Sequence, residues 1–205
     1  MKFTPVKTPE VAKRLFPKYI WDIKTDEKIL YLSFDDGPTP GVTEFVLDTL
    51  NQYNAKATFF CIGNNVDKYP EIYNRILDDG HAVGNHTQHH LNAWKHSAEV
   101  YMEDVAQASN KINSKLFRPP YGKLKLAHGK SLTSLNFKIV MWDVLSFDWE
   151  SDISPETCLA NVIAKATKGS IVVFHDSIKA ERNMRYALPK VLKHFSELDY
   201  NFLNL

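Results

Sequence analysis

The chain is poor in cysteine: Cys61 and Cys158 are the two thiols in 205 residues, and no CxxC pair occurs. Two distant cysteines make no disulfide framework. Cys61 lies in the apolar run 58–62 and reads as a small buried hydrophobe. No apolar run approaches membrane-spanning length. The opening Met1-Lys2-Phe3-Thr4-Pro5-Val6-Lys7 leads into no apolar core of signal-peptide length. The expectation is therefore a soluble, cytoplasmic chain, although a trimmed form of an exported protein reads the same. A formal net charge of +1 argues against nucleic acid or an anionic membrane as the main partner, and no protein partner is evident. Linkers, repeats and low-complexity tracts are absent as well. With 44% hydrophobic residues, one ordinary domain with a sizeable core is expected.

What is present is organised around 29–38, Ile-Leu-Tyr-Leu-Ser-Phe-Asp-Asp-Gly-Pro. An apolar run ends abruptly in two carboxylates, and Gly37 and Pro38 then force a turn. Such a run reads as a buried strand of a parallel sheet. A mixed arm, 1–27, precedes it, with Phe16, Tyr19, Ile20 and Trp21 to pack it onto the domain at 28–205. The sequence predicts strands at 28–34, 57–62, 81–85, 116–118, 137–142, 171–174 and 200–203. Helical stripes fall between them, at 42–50, 70–79, 97–114, 124–135, 155–166 and 188–195. Alternation of this kind calls for a parallel sheet covered by helices. About seven units suggest a distorted, incomplete (β/α)7 TIM-like barrel, with an open doubly wound sheet as the alternative.

The unusual polar residues cluster at the predicted strand ends. They are Asp35-Asp36, 85–90 (Asn-His-Thr-Gln-His-His), Arg118 with 119–122 (Pro-Pro-Tyr-Gly), 146–149 (Ser-Phe-Asp-Trp) and His175-Asp176. In a barrel these ends share one rim, where such folds carry chemistry. His86 and His90 are four apart, which on a helical turn places both imidazoles on one face. His86 with His89 is a second pairing, and either Asp35 or Asp36 can add an oxygen. Two histidines and a carboxylate form a catalytic metal pattern, with zinc the first choice and cobalt or nickel the alternatives. The other aspartate is then free to act as a base, with Arg118 holding it ionised. The 119–122 turn can aim a backbone N–H at an oxyanion, and Asp148 can raise the pKa of an acid at His175.

Taken together these stretches resemble the polysaccharide deacetylase family, also called the NodB homology domain or carbohydrate esterase family 4. The resemblance rests on Ser33-Phe34-Asp35-Asp36-Gly37-Pro38, His86-Thr87-Gln88-His89-His90, Arg118-Pro119-Pro120-Tyr121-Gly122, Ser146-Phe147-Asp148-Trp149 and Val173-Phe174-His175-Asp176, in the family's order. Two departures stand out: Leu145 where many members carry an acid, and Val173 where leucine is common. The resemblance implies a distorted barrel that removes acetyl groups from N-acetylated sugars in chitin-like or peptidoglycan-like polymers. It implies Asp35 as base, oriented by Arg118, and Asp36, His86 and His90 as ligands of a divalent metal. It further implies His175 as acid tuned by Asp148, the Tyr121 backbone at the oxyanion, and Tyr121, Trp149 and Val173 lining the acetyl pocket and groove. A deacylase of a small amide or ester, and an inactive carbohydrate-binding relative, are the alternatives.

Overall fold

A computed structural model describes residues 4–205; Met1 to Phe3 of the predicted arm lie outside them. In chain order the elements are α1 (Glu10–Leu15), β1 (Ile29–Asp35), α2 (Thr43–Gln52), β2 (Ala57–Cys61), α3 (Gly63–Lys68), α4 (Pro70–Asp78), β3 (Ala82–Asn85) and α5 (Ala98–Ser109). They continue with β4 (Leu116–Phe117), a 3₁₀ turn (Pro120–Gly122), α6 (Leu126–Ser134), β5 (Lys138–Ile139), β6 (Val144–Leu145), α7 (Pro155–Ile163), β7 (Ile171–His175), α8 (Glu181–Ser196) and β8 (Asn201–Phe202). No helix among the described residues is long and apolar enough to cross a membrane.

The sheet runs β5-β4-β3-β2-β1-β7-β6, every pair parallel, with β8 against the start of β1. It is an incomplete barrel. β1, β2 and β7 read as unbroken apolar runs because both of their faces are covered. One face packs Leu30, Leu32, Phe34, Phe59, Val172 and Phe174 against the helices. The other packs Phe60, Val140 and Ile171 inside the barrel. Parallel register aligns the C-terminal ends: Asp35 lies opposite Phe60 on β2 and His175 on β7, and Asn85 opposite Phe117.

Two predicted elements are corrected and one is added. β1 runs one residue further than expected and includes Asp35. The strand expected at 137–142 is cut to Lys138–Ile139, and Val144–Leu145 forms a separate strand on β7. The chain pairs with the arm at Val140 and then crosses to β7, so one apolar run serves two ladders. α3 is an additional short helix over Gly-Asn-Asn-Val-Asp-Lys, whose first three residues are weak helix formers.

The arm lies along both free edges of the sheet. Lys7 bridges Val144 beside β6, and Ile20 bridges Val140 just past β5. A buried carboxylate clamps it there. Asp143 receives Lys13 at 2.8 Å, Lys7 at 3.1 Å and the Ser170 hydroxyl. Burial alone would raise the Asp143 pKa; Lys13, Ser170 and Lys7 reverse that and hold it below the usual carboxylate value. Asp143→Ala removes the acceptor shared by Lys13, Lys7 and Ser170 but leaves Lys13 its partners Asp22 and Glu10, so it is expected to cost less than the roughly 3–5 kcal/mol lost when a buried charge is left unpaired, about 1–3 kcal/mol. Because the folded pKa is depressed, this contribution is full above the ordinary carboxylate pKa and is lost as pH falls through the folded value. Urea unfolding at pH 7 and pH 3 checks it: the gap between wild type and Asp143→Ala should narrow at the lower pH.

Candidate active site

Three clusters meet at the C-terminal rim. The first contains Asp36, His86 and His90, whose ligand atoms all lie within 4.8 Å of one another. Asp36 follows the last residue of β1 in a left-handed conformation, φ +81°. The His86–His90 stretch is not the helical turn that the spacing suggested. It is a loop with Thr87 at φ +67° and His90 at φ +56°. Side chains take over from helical hydrogen bonds in shaping it. Asn85 Oδ1 accepts from Thr87 N–H, and the buried Asp104 of α5 accepts from the N–H groups of Gln88 and His89. His89 turns away, its Nδ1 2.6 Å from Asp104 and its side chain 56% exposed. The His86–His89 alternative is thereby removed.

Each remaining imidazole presents Nε2 to Asp36. Oδ1 lies 3.6 Å from His86 Nε2 and 3.1 Å from His90 Nε2. His86 Nδ1 sits 2.7 Å from the Arg118 carbonyl, which only accepts, so Nδ1 carries the proton and Nε2 keeps its lone pair. His90 Nδ1 lies 3.1 Å from the Tyr121 hydroxyl. Asp36 Oδ1 is buried with no hydrogen-bond partner among the described residues. A buried carboxylate oxygen that faces two imidazole Nε2 atoms and has no hydrogen-bond partner is an arrangement that a cation relieves, so these residues fit a divalent ion.

The second cluster is Asp35 with Arg118. The fully buried guanidinium donates to Asp35 Oδ1 at 2.7 Å, to Ser33 Oγ at 2.8 Å and to the carbonyls of Met141 and Val140. Its plane lies over the Phe60 ring, 4.0 Å from the centroid. A fork with a partner at each of its three nitrogens holds the Asp35 carboxylate in one place. Burial lowers the Arg118 pKa, and Asp35 opposes that.

The third cluster is His175 with Asp148. Asp148 Oδ2 accepts the His175 backbone N–H at 2.6 Å, and Oδ1 lies 2.8 Å from Nδ1. Trp149 packs edge-on against the imidazole at 4.8 Å. Burial works against the imidazolium, but Asp148, joined by the more distant Asp36 and Asp35, raises the His175 pKa to about 9. Nδ1 is thus committed to Asp148, and Nε2 is left to face outward.

Tyr121 sits in the 3₁₀ turn at φ +61°, its side chain 60% exposed on the rim. The hydrogen bonds of that turn are donated by Gly122 and Lys123 and do not use the Tyr121 N–H. Val173 is 1% exposed, two residues before His175, so it lies beneath the rim as floor and not in an open groove. Sequence reasoning missed Asn65 and Asp104, and it placed Asp176 at a strand end without giving it a role; all three are tied to the turns they hold.

The family model described as Polysaccharide deacetylase matches residues 22–140. A Bacillus cereus protein named peptidoglycan-N-acetylglucosamine deacetylase is 38% identical over 152 residues, covering 71% of this chain; the chain spans 55% of that relative's length. A second Bacillus cereus protein of the same name is 34% identical over 196 residues, with 90% of each covered. The crystal structure of the Bc1960 peptidoglycan N-acetylglucosamine deacetylase, in complex with an N-hydroxybenzamide, superposes with a TM-score of 0.89 at 32% identity, covering 97% of this chain and 95% of that one. With the model match spanning more than half of the sequence and relatives of this identity and coverage, the chain belongs to the polysaccharide deacetylase family.

Proposed function

We propose that this chain is a metal-dependent deacetylase of N-acetylglucosamine-containing poly- or oligosaccharide, chitin-like or peptidoglycan-like, releasing acetate. The observation that supports it most is one rim that brings together Asp36, His86 and His90, with ligand atoms within 4.8 Å of one another, the separate carboxylate Asp35 and the separate imidazole His175. Residues 28–205 form the catalytic unit in this reading, with 1–27 as an arm packed on it.

Asp36, His86 and His90 would hold the ion, zinc first and cobalt or nickel next. A divalent ion held there would supply Lewis acidity to the acetamide carbonyl and would lower the pKa of water. Asp35, ionised beside Arg118, takes a proton as water attacks the carbonyl carbon. The Tyr121 N–H donates to the oxygen on which negative charge develops. His175 Nε2 gives its proton to the nitrogen as the C–N bond breaks, leaving acetate and a free amino sugar. Asp148 keeps His175 charged until that step. Trp149, Tyr121 and Val173 shape the pocket for the acetyl group and its sugar.

The test is acetate release from N-acetylglucosamine oligomers and peptidoglycan fragments, with chelator and after metal is restored. Release should stop with chelator and return with Zn2+, Co2+ or Ni2+. No release from protein that retains stoichiometric metal would move the assignment to a small amide or ester. No release and no metal uptake would point to an inactive carbohydrate-binding relative.

A further inference from the structure

One buried acid at the rim has no part in the proton transfers. Asp176, next to His175, is 0% exposed. Its Oδ1 accepts the Gly37 N–H at 3.0 Å, and its Oδ2 accepts the Thr43 hydroxyl at 2.6 Å. Its own N–H donates to the Asp35 carbonyl at 3.1 Å. The carboxylate sits so close to Gly37 that a Cβ there would lie 1.9 Å from Oδ2, well inside contact distance. On the other side of the turn, Asn65 Nδ2 donates to the Asp36 carbonyl at 2.8 Å, and the Ile62 N–H donates to the Gly37 carbonyl at 3.0 Å.

The residue enclosed by these bonds is Asp36, held at φ +81°. A non-glycine residue reaches that region only at a conformational cost and stays there only when its surroundings impose it. Relaxed to negative φ, Asp36 would swing Oδ1 away from His86 and His90. The carbonyls of Asp35, Asp36 and Gly37 and the Gly37 N–H are each tied by a named partner, and the side chains doing so are Asp176 and Asn65.

We propose that Asp176 and Asn65 are positioning residues that clamp the Asp35–Gly37 turn and thereby aim Asp36 at the ion shared with His86 and His90. The clamp rests on the ion-ligating role given to Asp36 above. Neither residue touches substrate. Groups that orient ligands in this way typically contribute 10–100-fold in metal affinity.

The test is titration of chelator-stripped protein with Co2+, followed by its visible absorption bands, for wild type, Asp176→Ala, Asp176→Asn and Asn65→Ala. Kinetics on N-acetylglucosamine oligomers run alongside. Asp176→Ala and Asn65→Ala should each weaken Co2+ binding about 10–100-fold and shift the bands. They should lower kcat with KM little changed. Asp176→Asn keeps an oxygen for the Gly37 N–H and should restore most of the affinity. A residue that only stabilised the fold would lower the unfolding midpoint and leave the bands of the folded protein unmoved. Wild-type affinity and spectrum in both alanine variants overturn the clamp. If Asp176→Ala does not fold, Asn65→Ala and the Asp176→Asn rescue decide it by the same readouts. Failure of the wild type to take up Co2+ would instead overturn the metal reading, and the clamp with it.

Discussion

Asp35→Asn is expected to lower kcat by at least about two orders of magnitude, the scale on which a general base acts. The substitution keeps the shape of the side chain and an oxygen for Arg118, and removes the capacity to take a proton. It leaves Asp36, His86 and His90 untouched, so metal content should remain stoichiometric. The two readouts together separate the two adjacent aspartates. Loss of rate with metal retained assigns proton transfer to Asp35; loss of both would mean that Asp35 helps to hold the ion. An unchanged rate would remove it from the role of base. A stability cost should accompany the loss. Arg118 has no solvent to turn to, and without the carboxylate its charge rests on neutral acceptors at Ser33, Val140 and Met141. Breaking a buried pair outright costs about 3–5 kcal/mol, and the retained carboxamide oxygen should keep Asp35→Asn below that range.

Much of this arrangement was legible because local pattern and global fold agree. The strands buried on both faces, β1, β2 and β7, announce themselves as apolar runs, and register then puts Asp35 and His175 side by side. Where pairing is made by distant chain, the pattern fails. Val140 is paired by Ile20 of the arm, and no periodicity at 137–142 says where one ladder stops and the next begins. The histidine pair was legible as a pair, but the helical turn invoked to bring it together is absent. The loop depends on positive φ at Thr87 and on Asp104, which lies on another element. Spacing suggested the donor set, while the choice between His89 and His90 is made by tertiary contact. Asp176 and Asn65 illustrate the remaining limit. Both hold the backbone of a residue far away in sequence, so although Asp176 stands inside a quoted motif, neither its partner nor that of Asn65 can be read from local pattern.

Asp148→Asn tests the acid. His175 must be protonated to give its proton to the leaving nitrogen, so activity is lost on the alkaline side as pH rises through its pKa. Asp148 is the main influence that raises that pKa to about 9, working against burial. The asparagine can still accept the His175 backbone N–H, but it no longer balances the imidazolium. The His175 pKa should therefore fall, and the alkaline limb of kcat/KM should move down by at least about one unit, a tenfold change in the charged fraction for each unit crossed. Wild type and variant should diverge progressively as pH rises toward and past 9, and differ least on the acid side of both limbs. The carboxamide can also turn its NH2 toward Nδ1 and favour the wrong tautomer, which would lower the plateau as well; in a catalytic triad that fault costs about 10⁴ in kcat. His175→Ala supplies the control: about 10²–10⁴ below wild type, with the alkaline limb attributed to His175 gone. A limb that stays in place in Asp148→Asn would show that another group sets it, and the pairing of Asp148 with His175 would then be structural alone.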